Sequence, residues 1–452
     1  MTTRRRFLKV LGGGALASLV GFRDGPRSLA AVATAASSEF FIFVHASGGW
    51  DVTLWADPRN ELRGTMQPAS TDNTDTGALK RWVDAPLEGG VRTFELVRPK
   101  GSSLVFGPGI GDLADMTDRI TIVNGLAMNT VSHPDGSTFS ATGRHPQGGR
   151  VASSSIDAMV ANEFGREQLL PTVSIRFPSA FVGDLDRRVV PLAIDDVDGI
   201  GRSLARSEAY DSDPERDEVT AMLSEEANDL AKRAAARGSV GGLALQYEGL
   251  RKMLGGHLEE AFSKDGLKKA HPRFDYKSRY VASGAYFAAF AVEAIKRNLV
   301  RAVSFACPGF DTHSTNYRGQ AQLQQETFGL IASLLKELDA TPHPTLSGAK
   351  ASDHTHILVV SEFCRTPQIN LGMGRDHYPN NSALIVSPKF KANFAFGKSD
   401  VDQLLPANAK RFTDGERPIA PPDVLATLLG AFGVDPRKYM RDGEVVHELL
   451  KG

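Results

Sequence analysis

Four short stretches of the chain combine carboxylates, imidazoles and a guanidinium. They are Gly48-Gly49-Trp50-Asp51, Gly309-Phe310-Asp311-Thr312-His313, Ser361-Glu362-Phe363-Cys364-Arg365-Thr366-Pro367 and Gly374-Arg375-Asp376-His377. Carboxylate oxygen together with imidazole nitrogen suits zinc, manganese or another borderline divalent ion. The Arg365 guanidinium has the fork geometry that matches phosphate and sulfate oxygens, and it could equally pair with Glu362 or Asp376. A fifth stretch, Thr130-Val131-Ser132-His133-Pro134-Asp135-Gly136, offers two hydroxyls and a further imidazole. Ser132 beside Pro134 reads equally as a nucleophile or as the N-cap of a helix, and His133 as a ligand for an anion or metal or as a capping group. A single Asp-x-His is weak evidence, because loop Asp and His often only cap turns. Asp51 alone could be an ordinary loop residue. Their recurrence at successive strand ends carries the reading.

The elements that position these residues follow from the apolar pattern. Phe40–His45 is an unbroken apolar run stopped by Ser47-Gly48-Gly49, the pattern of a strand buried on both faces. Similar runs lie at Ile120–Val123, Val300–Ala306, Ile357–Val360 and Ala383–Val386, with helical patterns at Ser155–Phe164, Tyr276–Asn298, Gln320–Leu338 and Asp423–Phe432. Alternating strands and helices predict an α/β fold with a mostly parallel sheet covered on both faces. In such a sheet ligands bind at the carboxyl ends of the strands, where the motifs fall. Residues 58–104 are rich in Pro, Gly, Thr and Asp and read as a long surface excursion. Residues 204–275 read as a charged helical insertion whose charge run is a solvated face.

Composition narrows the class. The 452 residues carry 52 Lys+Arg and 53 Asp+Glu, without the basic footprint of a nucleic-acid binder. Two cysteines, Cys307 and Cys364, exclude a disulfide framework and a cysteine-rich zinc module. At 41% hydrophobic and 23% charged the chain reads as globular, with no membrane span expected in the mature protein.

The first 35 residues stand apart. Arg4-Arg5-Arg6-Phe7-Leu8-Lys9, a short glycine-diluted apolar stretch and small residues around Ala33 and Ala35 resemble a bacterial twin-arginine export signal. The apolar stretch is shorter than the ~20 residues a spanning helix needs. The expectation is a signal peptide over 1–35, handled by the twin-arginine translocase, and a single domain over 36–452 that works in the periplasm or outside the cell. This leader holds six basic residues and one acidic, so its removal takes the formal charge from −1 to −6.

The quoted motifs, with the late Pro422–Gly430 helix, resemble the bacterial "domain of unknown function 1501" family from about residue 39 to the end. The resemblance implies a branch of the alkaline phosphatase and sulfatase superfamily: a three-layer α/β/α sandwich hydrolysing phosphate or sulfate esters at a one- or two-metal site. It also implies roles. Asp51 matches the first-strand carboxylate ligand, Asp311 and His313 an acid-and-histidine ligand pair, His377 the late histidine of that site, and Glu362 a metal-binding aspartate. Phe363 departs from the pattern, standing where a second ligand histidine is expected. Ser132, ten residues before Thr142-Gly143, matches the nucleophile, with Thr130 in reserve.

Two functions are therefore expected. One is an exported hydrolase of small anionic phosphate or sulfate esters that depends on a divalent metal, zinc or manganese. The other is a non-catalytic cell-envelope binding or assembly protein that keeps the fold and a remnant metal or anion site. In an oxidising compartment Cys307 and Cys364, both bordering the expected site, could close one disulfide.

Overall fold

A computed structural model of the chain describes residues 38–58, 96–183, 185–204, 258–372 and 374–452, with a few isolated positions between 218 and 229. The expected signal peptide, residues 59–95 of the 58–104 excursion and most of the 204–275 insertion lie outside the described residues. The chain divides into a larger unit, residues 38–195 and 268–452, and a smaller one that takes in 196–267. The smaller unit contributes helices Val197–Leu204 (α3) and Leu258–Ala261 (α4), and Lys264–Ala270 (α5) carries the chain across the boundary.

The larger unit is built on an eight-stranded sheet. Its strands are Phe40–Ser47 (β1), Ile120–Asn124 (β2), Thr172–Ile175 (β3), Leu192–Ile194 (β4), Ala302–Pro308 (β5), Thr355–Val360 (β6), Ser382–Val386 (β9) and Phe394–Gly397 (β10). Cys364–Arg365 (β7) and His377–Tyr378 (β8) form a separate two-stranded ribbon, as do Lys410–Phe412 (β11) and Gly415–Arg417 (β12). The sheet order is β10-β2-β9-β6-β1-β5-β3-β4. All neighbours are parallel except β9, which runs antiparallel to both β2 and β6. The start of β9 therefore lies at the carboxyl ends of its neighbours.

Alternation along β1 feeds two helical layers. Phe41 and Phe43 join a buried cluster with Phe139, Met159 and Leu425, contributed by helices His133–Thr142 (α1), Ile156–Phe164 (α2) and Pro421–Ala431 (α8). The opposite face is covered by Ala282–Lys296 (α6) and Asn316–Ala340 (α7); Phe287 of α6 meets Phe305 of β5 edge-on at 6.2 Å. The result is the expected α/β sandwich with a mostly parallel sheet. Three short strands, β3, β4 and β10, fall outside the apolar runs of the sequence, and α6 begins at Ala282 rather than near Tyr276.

Candidate metal centre

The segments after β6, β1 and β5 leave three adjacent parallel strands, and the segment before antiparallel β9 arrives beside them. Two glycines let these segments touch. Gly48, at φ +122°, has no room for a Cβ, which would overlap the Asp311 backbone nitrogen. Gly374 likewise lies against the His313 carbonyl, so the Gly374–His377 stretch is pressed onto the Asp311–His313 loop.

Three imidazoles converge on one carboxylate. Asp311 Oδ1 lies 3.6 Å from His133 Nε2, 3.2 Å from His313 Nε2 and 3.5 Å from His377 Nε2. His313 Nε2 and His377 Nε2 are 2.9 Å apart. Each ring is held from behind through Nδ1. His133 Nδ1 donates to Glu362 Oε1 at 2.7 Å, His313 Nδ1 to Asp376 Oδ1 at 2.8 Å, and His377 Nδ1 to the Val131 carbonyl at 2.8 Å. A carboxylate or carbonyl can only accept, so each neutral ring carries its proton on Nδ1 and turns a lone pair on Nε2 toward the centre. Two lone pairs at 2.9 Å repel unless a cation lies between them. His133 Nε2, moreover, is buried without any hydrogen-bond partner. Imidazole nitrogens facing inward, with carboxylates behind two of them and a backbone carbonyl behind the third, match the pattern that fixes histidine tautomers in metal sites. His133, Asp311 and His377 present one ligand atom each within 4.8 Å of one another, and the donor set of neutral imidazoles and a carboxylate fits a borderline divalent ion.

The electrostatics follow from the packing. Glu362 is almost fully buried; burial pushes its carboxyl up, but His133, the nearby His45 and the Ser361 hydroxyl overcome this and hold it at about 2. The hydrogen bond to Glu362 raises the His133 imidazole against its partial burial. Desolvation lowers His377. At Asp311 burial would raise the carboxyl, and the Arg365 hydrogen bond and the surrounding positive charge bring it below the ordinary value. Phe363 forms the floor under two of the rings, with centroids 4.9 Å from His133 and 4.5 Å from His377. Phe363 thus supports the histidines by packing.

Other expected residues lie elsewhere. Glu362 stands behind His133, also accepting the Gly48 N–H at 2.8 Å, rather than among the converging atoms. Asp51 is not brought to the cluster. Its buried carboxylate caps the 3₁₀ turn Val52–Leu54, accepting from the Thr53 N–H and hydroxyl, and takes Asn316 Nδ2 at 2.7 Å with Arg375 at 3.6 Å. Arg365 is fully buried and faces inward: it donates to the Gly48, Gly49 and Arg375 carbonyls and to Asp311 Oδ1 at 2.7 Å. The anion fork expected there is spent on holding the loops and Asp311. Ser132 is exposed, with no side-chain cap bond at the start of α1, and its N–H donates to Thr130 Oγ1 at 3.2 Å.

The disulfide expectation is corrected. Cys307 and Cys364 are both free and buried. Cys307 packs toward Gly284 of α6, whereas Cys364 belongs to the β7–β8 ribbon and pairs with Tyr378. Sequence reasoning missed His45, which ends the apolar run of β1 and reads there as one more strand residue. Its Nε2 lies 3.4 Å from Glu362 Oε2.

Beside the cluster opens a cleft of about 480 Å³ lined by Ser47, Gly48, His133, Ser137, Asp311 and Glu362 and walled by Pro134, Pro178 and Pro308. No helix among the described residues is long and apolar enough to cross a membrane. No curated protein matches the chain. Among solved structures, the lipoteichoic acid synthase LtaP from Listeria monocytogenes is similar at 7% identity and TM-score 0.36, over 92% of this chain and 76% of that one. The PsFucS1 sulfatase from Pseudoalteromonas sp. is similar at 10% identity and TM-score 0.32, over 91% and 72%. The family described as "Protein of unknown function (DUF1501)" matches residues 39–445, and the chain belongs to it.

Proposed function

We propose that the protein is an exported hydrolase of small anionic phosphate or sulfate esters that works through a divalent metal held by His133, Asp311, His313 and His377. The observation that carries this reading is the convergence of three Nε2 lone pairs on Asp311, each ring held through its Nδ1. The metal, when bound, supplies a Lewis acid that draws charge from the ester's oxygens. Hydrolysis breaks the P–O or S–O bond to the leaving group, puts a water oxygen in its place and returns a proton to the departing alcohol. The chain's residues prepare for this. Glu362 and Asp376 keep two rings in the tautomer that binds. Arg365 holds Asp311 ionised and fixed. The prolines and Phe363 exclude water on one side. Export rests on the Arg4-Arg5-Arg6-Phe7-Leu8-Lys9 leader.

The test is metal analysis of protein purified without added metal, followed by a screen of aryl phosphate mono- and diesters and aryl sulfates. About one equivalent of divalent ion and turnover abolished by His377→Ala support the reading. Metal-free protein, or turnover indifferent to His377→Ala, sinks it. Turnover that survives Ser132→Ala assigns the attack to water rather than to Ser132. One observation favours the non-catalytic alternative: Arg365, the sequence's best anion-holding group, is buried and fully engaged.

A further inference from the structure

The cleft beside the histidines has its own donor arrangement. Among the side chains that line it, the charged ones are Asp311, Glu362 and His133; no lysine or arginine is included. An anionic group entering there finds hydroxyls instead. Three line the cleft, on Ser47, Ser137 and Thr138. The Thr138 hydroxyl donates to the Pro134 carbonyl one turn back, at 2.8 Å, and is spent. The Ser47 and Ser137 hydroxyls make no hydrogen bond to any described residue, and both side chains are half-buried.

Their placement is built into the fold. Ser137 lies four residues after His133 on α1, so the two share one helix face. Gly136 fixes that face against the site, because a Cβ there would overlap the Glu362 carbonyl. Ser47 ends β1, directly before Gly48, whose N–H binds the same Glu362. The two hydroxyls thus come from two elements that both pack on Glu362, the carboxylate that orients His133.

We propose that Ser47 and Ser137 form a neutral oxyanion-binding pair that holds the non-bridging oxygens of a phosphate or sulfate group beside His133. The assignment rests on the hydrolase reading above. It places the substrate's tetrahedral group in the cleft on the Ser137 face of α1, not at exposed Ser132.

The experiment uses the full exported chain loaded with Co²⁺, whose visible spectrum reports occupancy and ligand exchange. Inorganic phosphate and sulfate are titrated separately into wild type, Ser47→Ala, Ser137→Ala, the double variant and Ser137→Thr. The expected result is unchanged Co²⁺ stoichiometry, anion affinity reduced about tenfold or more in Ser137→Ala and further in the double variant, and recovery in Ser137→Thr. Equal anion affinity in wild type and double variant overturns the hydroxyl pair, as does absence of saturable anion binding by the Co²⁺-loaded wild type. Failure of the wild type to take up Co²⁺ overturns the metal reading separately, and calorimetric titration of inorganic phosphate into the metal-free wild type and double variant then decides the hydroxyl pair by itself.

Discussion

His133 Nδ1 lies 2.7 Å from Glu362 Oε1, and this pair orients the site from behind. Glu362 is nearly inaccessible, held at about 2, and also accepts the Gly48 N–H and the Ser361 hydroxyl. It is therefore an ionised carboxylate fixed on three sides, and it holds the His133 proton on Nδ1. Glu362→Gln keeps the volume and removes the charge. Its amide can also present N–H to the ring and favour the wrong tautomer. Loss of a carboxylate behind a ligand histidine typically costs ~10–100-fold in metal affinity. Chelator competition should show that loss for Glu362→Gln, with near-normal secondary structure by circular dichroism. Unchanged affinity would separate Glu362 from the metal centre.

Gly374 is the second place where a small change should reach the centre. It lies directly against the His313 carbonyl, and its own N–H donates to Asn370 Oδ1 at 3.0 Å. A methyl group there must push the Arg375–His377 segment off the Asp311–His313 loop. Overpacking of this kind costs ~1–3 kcal/mol. It should also separate His313 from His377, which now meet at 2.9 Å. Gly374→Ala should lower both the melting temperature and metal uptake. A loss of stability with full metal uptake would show that the loop shifts as one body.

The sequence carried the framework of this site further than its details. β1, β2, β5, β6 and β9 were legible because strands buried on both faces must be apolar at nearly every position. β3, β4 and β10 have three or four residues each, too few for a pattern to stand out. At the site, residue type and strand-end position pointed to Asp311, His313 and His377. Side-chain direction could not be read in the same way. Asp51 and Glu362 follow neighbouring strands, yet one caps a buried turn and the other backs a histidine. That difference depends on register and on local turns, which spacing does not encode. Arg365 shows the same limit, since a buried guanidinium bound to backbone carbonyls has the same letter as one aimed at a substrate.

Away from the site, His271 bridges two buried acids, with Glu337 Oε2 at 3.0 Å from Nδ1 and Glu293 Oε2 at 3.2 Å from Nε2. Burial would raise Glu293, but His271, Arg297 and Lys296 bring it to about 2 from an ordinary 4.5. A lowered carboxyl contributes stability that is fully present above the ordinary value and is lost as pH falls through the folded-state value. The network should therefore weaken between about pH 4.5 and 2. Glu293→Gln should cost about 3 kcal/mol at pH 7, as the shift implies. Urea melts of the two proteins should converge as the pH falls through that window. A constant difference would place the effect in packing rather than in charge.

The state of the cysteines is a direct chemical count. Both thiols are buried, and burial pushes Cys307 up to about 12 and Cys364 well above its ordinary value. Neither forms appreciable thiolate at neutral pH, and the thiolate is the reactive species. The native protein should react negligibly with a thiol reagent. After unfolding without reductant it should show two thiols. A count of zero would mean that the pair closes despite this arrangement.

The meeting of His313 Nε2 and His377 Nε2 at 2.9 Å leads to the last prediction. With both Nδ1 atoms donating, the contact is attractive only with a proton or a metal ion between the rings. A metal that binds the folded state alone stabilises it by about 2.7 kcal/mol at a hundredfold excess over Kd. Zinc or manganese should therefore raise the melting temperature of metal-stripped wild type, and a chelator should reverse the rise. His377→Ala removes one lone pair and the ring above Phe363. That variant should show little response to either metal. His313→Asn distinguishes coordination from packing, since its ring is half exposed and supports no core: it should also lose the metal response while keeping nearly the metal-free melting temperature of wild type. A metal response that persists in both variants would move the ion to a different set of ligands.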